Sequence, residues 1–128
     1  PNFAEAWLLM AEVHQLIAIY TACLDRPAAS ARMARCVEQA LAIKPGLGQA
    51  YSLMGLHQLS QNDFVGALAL ASKGYAIEPN NPQVAMRLGS YLMFCGRTDD
   101  GMKFIEEAIS QDPIDGRKYM LRCAGQLN

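Results

Sequence analysis

The chain has 128 residues, 52% of them hydrophobic but only 8% aromatic, and a formal net charge of −1. That length supports one domain with a sizeable core, and the alanine-rich, aromatic-poor composition suits closely packed helices. The charge argues against nucleic acid or an anionic membrane surface as a partner, because both require a concentrated basic patch, and no run of about 18 uninterrupted apolar residues predicts a membrane-spanning helix.

A first helix is predicted from about Asn2 past Tyr20, and a second, with Pro27 at its first position, ends before Pro45. Proline suits a helix start because its missing N–H costs nothing there, and it biases the residue before it away from the helical region. A third helix follows Pro45 and ends near Asn62, a residue type that tolerates a left-handed turn. Asp63 opens a helix from Phe64 to Glu78, which Pro79 closes. Between Asn81 and Gly96, the residues Ala85, Leu88, Gly89 and Leu92 recur at i, i+3, i+4 and i+7 and mark one helix face. Pro82 sits at the start of that helix and Gly96 stops it. Thr98 or Asp99 is expected to cap the next helix, which runs toward Gln111. A last helix is predicted from about Asp115 to Gln126.

The prolines set a ladder. Pro45, Pro79 and Pro113 lie 34 and 34 residues apart (79−45 and 113−79), whereas Pro1 precedes Pro45 by 44, ten more. A fixed period of this size marks a repeat architecture. Aligned on Pro1, Pro45, Pro79 and Pro113, the segments place Trp7, Tyr51, Ala85 and Tyr119 six residues on. Three residues later come Met10, Met54 and Leu88, followed by Ala11, Gly55 and Gly89; the fourth segment breaks the pattern with Arg122 and Cys123. The second helices carry Met33, Val37 and Ala40, then Ala67, Ala71 and Gly74, then Gly101, Ile105 and Ala108.

On these residues the chain resembles the tetratricopeptide repeat family over essentially its whole length. The resemblance implies an all-α, right-handed solenoid of antiparallel helix pairs, about seven helices in all. The units are an elongated repeat over 1–44, repeats over 45–78 and 79–112, and a terminal, capping helix over 113–128. The elongated first repeat is similar to those in the tetratricopeptide regions of bacterial adenylate cyclases and transcriptional regulators. Pro1 in place of Met, in mid-repeat, predicts a fragment of a longer protein.

The family lines a concave groove with its first helices. Carried over by position, the groove residues are Gln49, Ser52, Leu56, Leu59 and Ser60 in the second repeat and Gln83, Met86, Ser90, Met93 and Phe94 in the third. Glu5, Leu8, Glu12, Gln15 and Leu16 follow in the first, and Arg117, Met120 and Ala124 in the terminal segment. The Lys, Asn and Arg set that clamps a terminal carboxylate in well-known members is not matched, so the groove is expected to be neutral and apolar, suited to a peptide or an amphipathic helix. Three readings follow: a non-catalytic protein–protein interaction scaffold, a regulatory or sensor segment of a larger bacterial signalling protein, and a self-associating module.

No chemistry-bearing constellation stands out. Cys23, Cys36, Cys95 and Cys123 form no CxxC and have only His14 and His57 beside them, so no metal site and no cofactor is predicted. They read as reduced thiols in the core, which points to a cytoplasmic setting. His14 shares a helix face with Trp7 and is expected to be hydrogen-bonded and partly buried. Asp99 and Asp100 read as a helix start, and Glu106 and Glu107, being neighbours on a helix, do not face each other.

Overall fold

The computed structural model describes residues 3–20 and 26–113 together with Arg122 and Gly125. All regular structure among them is helical: α1 (Phe3–Tyr20), α2 (Arg26–Ile43), α3 (Gly48–Ser60), α4 (Phe64–Ile77), α5 (Pro82–Phe94) and α6 (Thr98–Gln111). The predicted last helix lies, apart from Arg122 and Gly125, outside the described residues. The helices pair as α1–α2, α3–α4 and α5–α6, and each pair stacks on the next through α2–α3 and α4–α5. The extra residues of the first repeat lengthen both of its helices: α1 and α2 each have 18 residues, against 13 and 14 in α3 and α4.

Local chemistry sets the breaks. Asn62 and Gly96 end their helices with φ of 61° and 82°, the left-handed region that Asn and Gly tolerate best. Asp63 accepts a hydrogen bond from the Gly66 N–H at 2.9 Å and caps α4. Asn81 caps α5 by accepting from the Gln83 N–H at 3.0 Å, with Pro82 next. The start of α6 differs from expectation. Arg97 occupies the cap position with no side-chain cap, and Thr98 is already helical. Asp100 in the first turn pairs with the exposed Arg97 guanidinium at 3.0 Å.

Small residues let paired helices touch. A Cβ at Gly89 would stand 2.7 Å from the Gly101 carbonyl oxygen and 2.8 Å from Ile105. A Cβ at Gly55 would meet the Ala67 carbonyl and the Tyr91 ring, each at 3.0 Å. One core cluster joins the first two repeats through Leu8, Met33, Val37, Ala40, Leu47 and Leu53. A second joins the second and third through Ala71, Leu88, Tyr91 and Leu92, and a third holds α5 to α6 within the third repeat through Met86, Ile105 and Ile109, with Tyr75 of α4 packed against it. The buried Tyr91 hydroxyl donates to the Ser52 carbonyl at 2.8 Å and ties α5 to α3. Tyr75 donates to both oxygens of Glu107, at 2.8 and 2.9 Å, and links α4 to α6.

Among the described residues, backbone contacts also join α1 to α3 and α3 to α5, while none joins α2 to α4 or α4 to α6. The first helices therefore crowd together on the inner side of the stack and the second helices fan apart on the outer side.

Candidate functional site

The inner side holds two distinct environments. The first is a cavity of about 410 Å³ lined by Gln15 of α1, Ser30 and Met33 of α2, Leu56, Leu59 and Ser60 of α3, Asn62, Phe64 and Phe94. It lies where α3 turns into α4, with Phe94 at the end of α5 as one wall. Phe94 is 67% exposed and Phe64 44%, so accessible apolar surface borders the cavity. The described lining carries no charged side chain.

A polar cluster borders this cavity. Ser30 Oγ lies 2.8 Å from His57 Nδ1 and 3.1 Å from Ser60 Oγ, and Ser60 Oγ donates to the His57 carbonyl at 2.6 Å. His57 Nε2 faces the side-chain amide of Gln61 at 3.4 Å. The cluster fastens α2 to α3, with Ser30 buried. Ser30 lies 27 residues from His57 in sequence, and only helix packing brings the two together.

The second environment is a polar network along the inner side. Gln49 Nε2 donates to Glu12 Oε1, and Asn81 Nδ2 donates to Gln49 Oε1 at 3.5 Å. Arg87, a buried residue of α5, donates to Gln15 Oε1 at 3.4 Å and has Glu12 Oε1 at 3.9 Å. Side chains of the first, second and third repeats thus meet at one place. Arg87 was not among the predicted groove residues. A signal was present: stepping 44 and then 34 positions from Leu9 gives Leu53 and then Arg87, so a cation stands where the other repeats have leucine. The inner side is therefore not uniformly apolar.

The predicted groove residues divide accordingly. Leu56, Leu59 and Phe94 meet at the cavity, and Gln49 belongs to the polar network. Ser52 and Met86 depart from the groove expectation. Ser52 is fully buried, its Oγ donating to the Gly48 carbonyl at 3.4 Å in the tight α3–α4 contact, and Met86 is buried in the α5–α6 core. Met93 is half-buried and packs against that same core. Ser90 donates to the Arg87 carbonyl of its own helix at 3.0 Å, and Gln83 is half-buried. Arg117 and Met120 lie outside the described residues. In the first repeat Leu8 is buried in the core and Glu5 is exposed beside Lys44 at 3.3 Å.

The remaining candidates have structural surroundings. His14 Nδ1 is buried without a hydrogen-bond partner among the described residues, contrary to the hydrogen-bonded histidine expected. Burial pushes the Cys36 thiol up, the behaviour of a small core residue. Burial, and then the Glu107 carboxylate, push the Tyr75 phenol up. Among the described residues no three His, Cys, Asp or Glu side chains gather as metal ligands, and no helix is long and apolar enough to cross a membrane.

Comparisons with known proteins follow this geometry. A family model described as the tetratricopeptide repeat matches residues 58–122, 65 of the 128 residues and so just over half of the chain. No curated protein matches the sequence. Among solved structures, the thermophilic TPR protein TTC0263 of Thermus thermophilus superposes with a TM-score of 0.78 at 18% identity, covering 100% of this chain and 66% of that one. A mutant O-GlcNAc transferase of Thermobaculum terrenum gives 0.76 at 20% identity, with 96% of this chain matching only 22% of the transferase. The first TPR domain of Spaghetti (RPAP3), bound to the HSP90 peptide SRMEEVD, gives 0.70 at 10% identity over 94% of this chain and 95% of that one. The chain thus spans less than two thirds of the transferase and of TTC0263. The proline ladder, the stacked helix pairs and the family match agree, and the chain belongs to the tetratricopeptide repeat family.

Proposed function

We propose that the chain is a non-catalytic protein–protein interaction scaffold that takes a peptide or a partner helix on its inner side, with the cavity beside Phe94 seating an apolar side chain of the partner. The observation that carries this reading is the cavity of about 410 Å³ bounded by Leu56, Leu59, Phe64 and the exposed Phe94. Such a volume accommodates one large anchor side chain, and well-packed apolar anchors dominate interface energetics. The neutral lining favours an apolar segment over a nucleic acid. The likeness to the peptide-bound Spaghetti domain supports the same use of the fold. Cys36 as a buried thiol fits a reducing, cytoplasmic setting.

The test is selection of a displayed random-peptide library against the chain, followed by affinities for the wild type and Phe94→Glu. Phe94 is exposed, so the variant should fold. Peptides from the wild-type selection should bind Phe94→Glu at least about tenfold more weakly, the cost of a charge in a hot-spot pocket. Equal affinities would remove the cavity from the binding site.

The long first helix pair favours a second reading, in which the chain is a regulatory or sensor segment of a larger bacterial signalling protein. Sequence beyond Pro1 decides it: a cyclase or DNA-binding domain supports the reading, and plain repeats alone oppose it.

A further inference from the structure

The cavity beside Phe94 has one polar wall, and its hydrogen bonds run in a fixed direction. Ser30 and Ser60 both line the cavity, and their hydroxyls belong to the cluster around His57. Ser60 Oγ donates to the His57 carbonyl at 2.6 Å, which uses its only proton. The Ser30–Ser60 contact at 3.1 Å must then carry the Ser30 proton, with Ser60 Oγ accepting. Ser30 has no second proton for His57, so their contact at 2.8 Å is the Nδ1–H donating to Ser30 Oγ. In a neutral ring the opposite nitrogen, Nε2, is then an acceptor, and it faces the side-chain NH2 of Gln61 at 3.4 Å. Both edges of the imidazole agree on one tautomer.

Every proton of the cluster is therefore spent within it. Each serine oxygen has two lone pairs and accepts one bond, so each keeps one lone pair. The wall can accept a hydrogen bond and cannot donate one. Gln15 and Asn62 also line the cavity, but carboxamides pair with donors and acceptors alike. Met33, Leu56 and Leu59 and the rings of Phe64 and Phe94 make the rest of the lining apolar. A matching occupant has an apolar body and a donor at its tip. Leucine or methionine lacks the donor. A lysine ammonium supplies it only by taking a charge out of water. A phenol meets both requirements, and its ring suits edge-to-face packing on Phe64 or Phe94 and contact with the Met33 thioether.

We infer that the cavity is a tyrosine pocket: the partner segment seats a tyrosine there, its ring among the apolar lining and its hydroxyl donating to Ser30 or Ser60 Oγ. The complementarity is electrostatic, with oxygen lone pairs facing the positive end of an O–H dipole. A partner site that offers only acceptors rejects a group that can only accept. This inference rests on the inner side being the binding groove, and adds the identity of the anchor.

The test takes library-selected peptides whose affinity falls in Phe94→Glu and locates the anchor by alanine scanning. The anchor should be tyrosine. Resynthesised with 4-aminophenylalanine, which keeps a donor, the peptide should bind the wild-type chain within about twofold of the original. With phenylalanine, which has no polar tip, or O-methyltyrosine, which can only accept, it should bind roughly three- to tenfold more weakly, the worth of one hydrogen bond. This series needs no protein variant. The double substitution Ser30→Ala/Ser60→Ala, with its fold checked by circular dichroism, should bind the tyrosine and phenylalanine peptides alike. An aliphatic anchor, or a phenylalanine peptide that matches the tyrosine one on the wild type, overturns the inference and leaves the groove standing. A tyrosine preference that survives the double substitution overturns it as well. Peptides that are all indifferent to Phe94→Glu overturn both the groove and its tyrosine pocket.

Discussion

Tyr91 combines apolar packing and a hydrogen bond in the interior. It is buried, packs among Ala71, Leu88 and Leu92, and donates its hydroxyl to the Ser52 carbonyl of the neighbouring repeat at 2.8 Å. Burial pushes its phenol well above the usual tyrosine range, with the nearby Arg87 pulling weakly the other way. A pKa raised by folding means that the stabilising contribution is fully present below the unfolded value, about 10, and is lost as pH rises above it. The chain should therefore lose stability steeply above roughly pH 10. Tyr91→Phe should cost about 1–2 kcal/mol at neutral pH through the lost hydrogen bond and should flatten that alkaline loss. Denaturant melts of both proteins at neutral and alkaline pH check this, and parallel pH profiles would show that another group governs the alkaline limb.

At the scale of the helix, close approach is the controlling fact. Gly89 lies against the Gly101 carbonyl and Ile105 at distances that leave no room for a methyl group. Gly89→Ala should destabilise the chain by about 1–3 kcal/mol, as overpacking does, and lower the melting temperature accordingly. An unchanged melt would mean that α5 and α6 can separate freely. These helix positions were legible in the sequence, because prolines at a fixed spacing, Asn62, Gly96 and the paired small residues act locally and need no tertiary information. The start of α6 was less legible: Thr98 and Asp99 both resemble caps, yet Arg97 takes the cap position and Thr98 is already helical. The candidate site was legible in part. Leu56, Leu59 and Phe94 come together at the cavity, but position alone could not separate them from Ser52 and Met86, which the glycine-mediated contacts of α3–α4 and α5–α6 draw into the interior. Ser30 and Phe64 come from outer helices and enter the cavity only through packing.

For the whole molecule, Arg87 breaks the rule that each repeat touches only its neighbours. Its guanidinium reaches Gln15 across 72 positions of sequence, joining the third repeat to the first over the second. Leucine fills the equivalent positions in the other two repeats, so Arg87→Leu should fold, but it leaves Glu12 and Gln15 without the guanidinium and should cost about 1–3 kcal/mol. What should change is coupling. Native-state hydrogen exchange is expected to show faster exchange in α1 with α5 and α6 protected as before. A uniform change in all helices would mean that the Arg87 contact does not set the stability of the first repeat relative to the rest.

The unequal helix lengths have a further consequence for access. At about 1.5 Å per residue, the 18-residue α1 is roughly 7 Å longer than the 13-residue α3 beside it. The edge of the stack is therefore stepped, and the cavity at the α3–α4 turn has the longer first hairpin along one flank through Gln15, Ser30 and Met33. In the binding mode proposed above, a segment running toward Phe94 would meet that flank as a barrier, and the longer repeat would set how far it extends past the turn.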